Sequence, residues 1–402
     1  MNIVNLYDNY NSYFTADLKI IFGQISKVAA KKDLELYLIG GIVRDMLLDI
    51  KNDDIDITVE GDAIEFAKTL EKEIDAKILS IHSDFGTAKI ELKEHKLDLA
   101  STRSESYPKK GHLPLVKDIG CSLQKDVLRR DFTINSLALS LNTSSFADLI
   151  DYTCGFDDLK HKKIRILNDK SFIDDPTRIL RALKYSQRLG FEIENETLDL
   201  QKKYLENINY DMCYKRVKNE LKKTFNENSQ KTFDIFIEQE IYKLITKSKI
   251  EKPKTNLQKQ NTKYKATKPW LVYLGYASNC DDLEKFELTK SEKIILTSAK
   301  PFIDKKPNLK TDFDIYKNFS TLKVETLIIL SSLGFEKEVC RYLDKLCTIK
   351  IDTTGKDLLE LKIEPSKKFG EVFDHILENK LKNPNLKKAQ EIELAKRFLA
   401  ED

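Results

Sequence analysis

The predicted fold follows from Leu36-Tyr-Leu-Ile-Gly-Gly-Ile-Val-Arg-Asp-Met-Leu-Leu48 and from a second segment shortly after it, Asn52-Asp-Asp-Ile-Asp-Ile-Thr-Val-Glu60. The apolar residues at 36–39 predict a buried strand that ends at two adjacent glycines. Adjacent glycines adopt backbone conformations closed to other residues and let a ligand approach the main chain. The spacing then predicts a short helix over residues 42–48 and a second strand over residues 55–59. We therefore expect a sheet built around this strand–turn–helix–strand unit.

Two acidic residues, Asp54 and Asp56, accompany the second strand at positions i and i+2. Side chains at that spacing point to the same face of a strand. Two carboxylates on one face repel each other unless a cation lies between them. Magnesium prefers oxygen ligands, and it usually takes one or two carboxylates together with substrate phosphates. The pattern therefore predicts the start of a phosphoryl-transfer site.

Length, charge and cysteine content narrow the class of protein. At 402 residues the chain is long enough for several domains, and its formal net charge of +3 indicates no particular partner. The six cysteines form no C-x-x-C pair, which favours reduced thiols over a structural zinc. The N-terminal residues lack a basic region followed by an apolar core, and no apolar run reaches the length of about 18 residues that a membrane span needs. We therefore expect a soluble, cytoplasmic protein with no membrane association.

The first 150 residues are predicted to alternate helices and strands around one small sheet. Between Thr102 and Lys125 the periodicity fails and prolines, a glycine and mixed charges predict a long surface loop. The predicted helices cover residues 16–31 and 63–70, and further strands cover residues 77–81, 87–92 and 96–100.

From Asp151 onward helical patterns dominate. Residues 172–191 predict one helix, because Pro176 suits its first position and Gly190 suits its end. Further helices are predicted over residues 211–225, 322–346 and 386–399.

A lysine-rich segment, residues 247–268, holds eight lysines and one acidic residue, with Tyr264 and Trp270 nearby. A solvated linker and a contact to an RNA backbone explain this charge equally well.

Four motifs follow one another in a specific order, although each is weak by itself. They are G-G-x-V-R-D-x-L-L at 40–48, D-x-D at 54–56, R-R-D-F-T-x-N at 129–135 and D-D-P-T-R-I-L-R-A at 174–182. Within the third motif, Asp131 is suited either to cap a helix or to hold an arginine. Together the motifs resemble those of the tRNA nucleotidyltransferase/poly(A) polymerase family, which includes the class II CCA-adding enzymes. The resemblance is close over roughly the first 225 residues and less specific at residues 354–365.

The resemblance implies an α+β fold. Residues 1–150 would form a nucleotidyltransferase head of the DNA polymerase beta superfamily, with a small mixed sheet. All-helical neck, body and tail domains would follow at residues 151–235, 236–330 and 331–402, with base recognition in the neck and tRNA binding in the tail.

The resemblance also implies which residues of the head form the catalytic site. Asp54 and Asp56 would bind two catalytic Mg²⁺ ions, and Asp98 matches the third catalytic carboxylate. Gly41, Arg44 and Arg130 match positions that contact the bound nucleotide. A backbone N–H and a guanidinium both suit phosphate oxygens.

The fourth motif is implicated in the choice of base. Cytosine and adenine each offer an amino donor beside a ring acceptor, which a carboxylate and a guanidinium recognise together, whereas guanine and uracil leave both groups unpaired. By resemblance Asp175 and Arg178 take these roles, and Arg181 and Lys184 contact the nucleotide. Two residues depart from the family pattern, since Asp174 replaces a glutamate and Lys184 replaces an arginine, which offers a planar fork that lysine lacks.

The expected function is template-independent addition of C, C and A to the 3′ end of tRNA from CTP and ATP, with no obligate protein partner. Addition of the terminal A alone and poly(A) synthesis remain alternatives. By resemblance the length of the segment after Arg103 favours competence to add A, since family members that add only CC tend to have it shortened. A catalytically inactive RNA-binding protein is a further alternative, although both acids of D-x-D and Arg130 are present. A metal-dependent phosphohydrolase with an H-D pair is disfavoured, because Asp follows none of the five histidines.

Overall fold

The computed structural model describes residues 4–361 and 367–400. The chain divides into two compact units, Met1–Val217 and Lys218–Asp402. The division into four domains stays a prediction, and the last residues of the tail-like stretch 354–365 lie outside the described residues.

The strands of the first unit are β1 (Val4–Asn5), β2 (Glu35–Ile39), β3 (Ile55–Glu60), β4 (Lys77–His82), β5 (Thr87–Leu92), β6 (His95–Ser101), β7 (Arg103–Ser106), β8 (Leu115–Ile119), β9 (Ala138–Ser140), β10 (Asp148–Ile150), β11 (Lys163–Ile164) and β12 (Glu192–Ile193). Eight of them form one sheet in the order β1-β10-β9-β2-β3-β6-β5-β4, in which β3 and β6 are parallel and the other neighbours are antiparallel. The remaining strands form two separate pairs, β7 with β8 and β11 with β12. The eight-stranded sheet confirms the predicted mixed sheet.

Helices pack on the sheet because each has one apolar face. Ile21, Phe22 and Ile25 of the second helix are fully buried, and Asp62 caps the fourth helix by accepting hydrogen bonds from two backbone N–H groups. The helices that begin in this unit are α1 (Tyr7–Tyr13), α2 (Ala16–Ala30), α3 (Gly41–Leu47), α4 (Ala63–Ile74), α5 (Leu123–Leu128), α6 (Gly155–Lys160), α7 (Ser171–Asp174), α8 (Thr177–Leu189), α9 (Asn195–Glu206) and α10 (Tyr214–Phe225).

The predicted loop between Thr102 and Lys125 is wrong. Strands β7 and β8 form an antiparallel hairpin there, in which Arg103 pairs with Ile119. The side chain of Glu105 is only 4% exposed and accepts hydrogen bonds from Arg103 Nε at 2.9 Å and Arg129 Nη1 at 3.0 Å. Because its polar side chains pair with each other, the segment forms regular structure without an apolar pattern.

The predicted single helix over residues 172–191 is broken. Asp175 adopts an extended conformation (φ −142°, ψ 91°) between α7 and α8, and its carboxylate accepts from Thr177 N at 3.1 Å, as a capping residue does. The predicted end of α8 is confirmed, since Gly190 has φ +68°. The helix predicted over 322–346 is likewise interrupted, at Gly334 with φ +111°.

In the part of the second unit that the structure describes, all regular elements are helical. Trp270 is 1% exposed, and Tyr273 stacks on Phe225 with ring centroids 5.1 Å apart. None of the described helices of the chain has the length and apolar character that a membrane span needs. The remaining α-helices are α11 (Gln230–Glu238), α12 (Leu257–Lys263), α13 (Pro269–Tyr276), α14 (Cys280–Leu283), α15 (Lys290–Thr297), α16 (Lys300–Lys305), α17 (Asp312–Phe319), α18 (Val324–Leu330), α19 (Glu336–Asp344), α20 (Gly355–Glu360), α21 (Lys367–Lys382) and α22 (Lys388–Ala400).

The lysine-rich segment 247–268 is partly neutralised inside this unit. Lys263 forms a salt bridge with Asp344 at 2.8 Å, and Lys252 pairs with Glu238. Trp270 lies in the core and is therefore not exposed for stacking on a base. The RNA-backbone contact stays a prediction that rests on the other lysines.

Candidate active site

Strands β3 and β6 bring the three predicted catalytic carboxylates together. Asp56 lies in β3 directly opposite Asp98 in β6, and because the two strands are parallel neighbours both side chains point to one face of the sheet. Asp54 immediately precedes β3, where its backbone N–H donates to Asn52 Oδ1 at 2.9 Å. The predicted grouping therefore follows from the register of the sheet.

The local charges distinguish these carboxylates. The pKa of Asp56 is raised to about 6, chiefly because the surrounding protein desolvates its carboxylate; the charges of Asp98 and Asp54 also raise this pKa, and the charge of Arg130 opposes them. Asp98 is paired with Lys89, whose Nζ lies 2.9 Å from Oδ2. A cation beside Asp56 would relieve this excess of negative charge.

The donor set fits a hard cation in part. Asp54 and Asp56 offer carboxylate oxygens, the ligand type that Mg²⁺ prefers. Among the described residues no three His, Cys, Asp or Glu side chains are arranged to enclose a metal ion, and an oxygen of Asp98 is engaged by Lys89. If an ion binds here, Asp54 and Asp56 would supply two carboxylates, with the remaining ligands left to substrate.

The glycine turn lies against Arg130. Gly40 has φ +74°, and a Cβ there would lie 3.2 Å from Arg130 Nη1, so a side chain would crowd the guanidinium. Gly41 begins α3, where a Cβ would meet only ordinary contacts. Asp126 orients Arg130 by accepting from Nη2 at 3.1 Å. The charge of Arg130 also lowers the pKa of Asp56, which indicates that the glycine turn, Arg130 and the carboxylates lie near one another.

Arg44 lies inside the protein and is 2% exposed. Its guanidinium pairs with Asp45 at 2.7 Å and donates to Asn135 Oδ1 at 2.5 Å. Asp45 is fully buried and also lies 3.7 Å from Arg188. The guanidinium of Arg44, which the sequence predicts to contact the nucleotide, is thus bound to other protein groups. Arg188 joins the same group of residues through Asp45, and part of its side chain is exposed.

Asp131 holds an arginine, which is one of the two roles predicted for it. Arg181 donates from Nε to Asp131 Oδ2 at 2.7 Å, and Asn135 donates to Oδ1 at 3.1 Å. Burial by itself would raise the pKa of Asp131, but the charges of Arg181 and Arg178 outweigh it and lower the pKa to about 2. This ion pair joins the third and fourth sequence motifs.

The predicted base-recognition pair is buried and held by other protein groups. Asp175 accepts a hydrogen bond from Arg216, which the sequence suggested only as part of a helix. Arg178 donates to Ser171 Oγ at 2.6 Å and to the carbonyl of Arg129 at 2.9 Å, while its Nε lies 4.0 Å from Asp175. Arg216 is a residue that sequence reasoning missed, because it lies 41 positions from its partner.

Tyr185 is a second residue that sequence reasoning missed. The charged groups of Arg44, Arg181 and Lys184 lie 5.1, 5.3 and 4.9 Å from its ring centroid. Its hydroxyl also accepts from Arg181 Nη2 at 3.2 Å. The i,i+4 spacing of Arg181 and Tyr185 was the available signal. One aromatic ring therefore gathers three of the predicted nucleotide-binding cations.

Comparison with known proteins agrees with these motifs. The family profile described as "Poly A polymerase head domain" matches residues 36–165. The A-adding tRNA nucleotidyltransferase of Geobacter sulfurreducens is 32% identical over 93% of this chain, which spans 46% of that protein's length. The A-adding tRNA nucleotidyltransferase of Halalkalibacterium halodurans is 30% identical over 91% of this chain and 89% of its own. A solved CCA-adding enzyme in its apo form II superposes with a TM-score of 0.84 and 27% identity, covering 100% of both chains. The chain therefore belongs to the tRNA nucleotidyltransferase/poly(A) polymerase family.

Proposed function

We propose that this protein is an enzyme that adds nucleotides to the 3′ end of tRNA and finishes with adenosine. The observation that carries the proposal is the placement of Asp56 opposite Asp98 on parallel strands, with Arg130 and the glycine turn beside them. This arrangement suits transfer of a nucleotidyl group from ATP or CTP to a hydroxyl, with release of pyrophosphate.

Asp54 and Asp56 would hold Mg²⁺, which when bound lowers the pKa of the attacking 3′-hydroxyl and neutralises charge at the α-phosphate and leaving group. Lys89 keeps the carboxylate of Asp98 in place beside them. Arg130, oriented by Asp126, supplies a guanidinium for triphosphate oxygens next to the backbone of Gly41. These protein groups position the two substrates.

The base would be chosen by Asp175 and Arg178. Arg216 donates a hydrogen bond to the carboxylate of Asp175 and holds it in place, and this carboxylate can accept from the amino group of cytosine or adenine. Arg178, fixed by Ser171, donates to the neighbouring ring acceptor. Guanine and uracil present the opposite polarity and would leave both groups unpaired at a cost of about 1–3 kcal/mol each. Arg181 and Lys184 would face the phosphates from the ring of Tyr185.

Specific observations support two of the possible products. The complete CCA end is the product expected from the sequence, and the superposed structure is named a CCA-adding enzyme. Addition of A alone is the second candidate, because the relatives from Geobacter sulfurreducens and Halalkalibacterium halodurans are both named A-adding. Both products end in adenosine, so adenosine addition is the activity that we propose with fewest assumptions.

The test uses purified protein, MgCl₂ and three RNAs: a tRNA that ends before CCA, a tRNA that ends in CC, and an unrelated oligonucleotide. Each receives CTP, ATP or both, and Asp54→Ala/Asp56→Ala serves as the inactive control. Addition of C, C and A that then stops identifies a CCA-adding enzyme. Use of ATP alone, on the CC-ended tRNA alone, identifies an A-adding enzyme. Long ATP-dependent tails on every RNA identify a poly(A) polymerase. If nothing is added and the double variant binds tRNA as well as the parent does, the transferase proposal is refuted and an RNA-binding protein remains.

A further inference from the structure

A cavity of about 660 Å³ lies in the first unit, away from the carboxylates. The tip of the β7–β8 hairpin at Gly111, helix α7 and helix α9 enclose it. Its volume is within the usual range of small-molecule sites, roughly 300–1,000 Å³. None of the residues proposed above for catalysis or base recognition lines it. The cavity is therefore a separate feature of the fold.

The walls of the cavity are apolar and partly aromatic. Phe172 and Leu200 line it from α7 and α9, and Ile173 remains 39% exposed beside them. Tyr204 adds a second ring, and burial raises the pKa of its hydroxyl. Apolar and aromatic walls accept the face of a flat ring such as a nucleobase.

The rim of the cavity is positively charged. Lys110, Lys170 and Lys203 border it, against one acidic side chain, Asp169. Among the described residues none of these three lysines forms a salt bridge. Ammonium groups placed in this way attract a phosphate. The amides of two asparagines, 207 and 209, also line the cavity and offer both donors and acceptors to the edge of a base.

Backbone hydrogen bonds fix the hairpin wall of the cavity. Gly111 N donates to the carbonyl of Asp174 at 3.0 Å, and Gly111 accepts from Cys213 N at 3.0 Å. Gly111 has φ +75°, and a Cβ there would lie 3.0 Å from Met212 Cβ, so the close approach needs glycine. The wall is therefore in place before any ligand arrives.

The opposite wall adjoins the proposed base-recognition pair. Helix α7 carries Phe172 in the cavity, and its Ser171 accepts from Arg178. A ligand in the cavity would thus contact the short helix that also positions Arg178.

We propose that this lysine-rimmed cavity is a second nucleotide site, which binds one nucleotide unit with its base between the apolar walls and its phosphate at the lysines. The unit comes either from single-stranded RNA or from a free nucleotide. The proposal goes beyond the proposed transferase activity and does not rest on it, since the two sites share no residue.

The binding test uses the full chain with Asp54→Ala/Asp56→Ala and EDTA, which removes metal-dependent nucleotide binding at the carboxylates. One arm titrates the fluorescent monophosphate of 2-aminopurine riboside, and the other titrates a single-stranded pentanucleotide that contains one 2-aminopurine. In that background Lys170→Ala/Lys203→Ala removes rim charge and Leu200→Trp fills the cavity. Lys32→Ala/Lys72→Ala, two exposed lysines elsewhere in the first unit, is the matched control. Thermal unfolding of each variant checks that it is folded.

We expect both cavity variants to weaken binding by roughly tenfold in at least one arm, and the control to change it by less than about twofold. The arm that loses binding identifies the source of the nucleotide. If the lysine variant weakens binding but Leu200→Trp does not, only surface charge is involved and the proposal fails. It also fails if neither cavity variant differs from the control. Failure of the transferase proposal would appear separately, as absence of nucleotide addition by the unmodified chain.

Discussion

Replacing Asp131 by asparagine tests the ion pair that joins two of the sequence motifs. The pKa of the buried carboxylate of Asp131 is lowered from 3.8 to about 2, because the charges of Arg181 and Arg178 outweigh the effect of burial. This lowering of the pKa corresponds to about 2 kcal/mol of folding free energy. The folded-state pKa is the lower one, so this stability is present above pH 4 and is lost as the pH falls through 2. By the same relation about half of it remains at pH 3.

We therefore expect Asp131→Asn to lower the free energy of unfolding by about 2 kcal/mol at pH 7, and the difference from the parent to shrink to about half at pH 3. Urea unfolding followed by circular dichroism, with sucrose present so that both proteins start folded, measures the difference. Trp270, the only tryptophan, reports the second unit separately by fluorescence. Asp157→Asn, an exposed aspartate near His161, is the matched control and should change stability by less than about 0.5 kcal/mol. A loss in Asp131→Asn that is equal at pH 7 and pH 3, or no larger than in the control, refutes the reasoning.

Three further predictions concern the nucleotide site. Tyr185→Leu should raise the KM for ATP by roughly tenfold in initial-rate assays, because three cations lose the ring that they share. Tyr185→Phe keeps the ring, and its KM should stay within about threefold of that of the parent. Equal defects in the two variants would contradict the role of the ring. Arg216→Met removes the side chain that donates a hydrogen bond to Asp175. In single-nucleotide assays we expect misincorporation of UMP and GMP relative to AMP to rise by roughly tenfold. An unchanged ratio would contradict a role of Arg216 in the choice of base. Since the pKa of Asp56 is raised to about 6, protons should compete with Mg²⁺ for its carboxylate below that pH. The Mg²⁺ concentration for half-maximal rate should therefore increase by roughly tenfold per pH unit below pH 6 and be nearly constant from pH 7 to 8. Asp56→Asn should abolish this dependence together with most of the activity.

The sequence was sufficient for the parts of the fold that local patterns determine. The strand before Gly40, the short helix after it and the strand with Asp56 all lie within one or two residues of their predicted bounds. Their signals are apolar runs and glycines that act within a few positions of one another. The approach of Asp98 to Asp56 was predicted only through the family resemblance, because the parallel pairing of β3 and β6 brings together residues 42 positions apart.

Two of the errors share a physical cause, since polar groups whose partners are distant in sequence look like loop or surface. The β7–β8 hairpin contains Glu105, which is buried only because Arg129 and Arg103 pair with it. Asp175 interrupts the predicted helix, and its carboxylate serves Thr177 and Arg216 instead. A hydrophobic pattern cannot reveal such pairs, because their burial follows from charge compensation.

These ion pairs explain why the order of the motifs is more informative than any motif alone. Asp131 of R-R-D binds Arg181 of I-L-R, and Asn135, which bonds to Asp131, also accepts from Arg44 of the glycine-turn motif. Three motifs that are far apart in sequence therefore share one network of charges and amides. Loss of the Asp131 carboxylate would leave Arg181 without this partner and cost about 2 kcal/mol. The residue types are thus constrained by each other as well as by substrate, and a substitution in one motif should be felt at the cations of the other two.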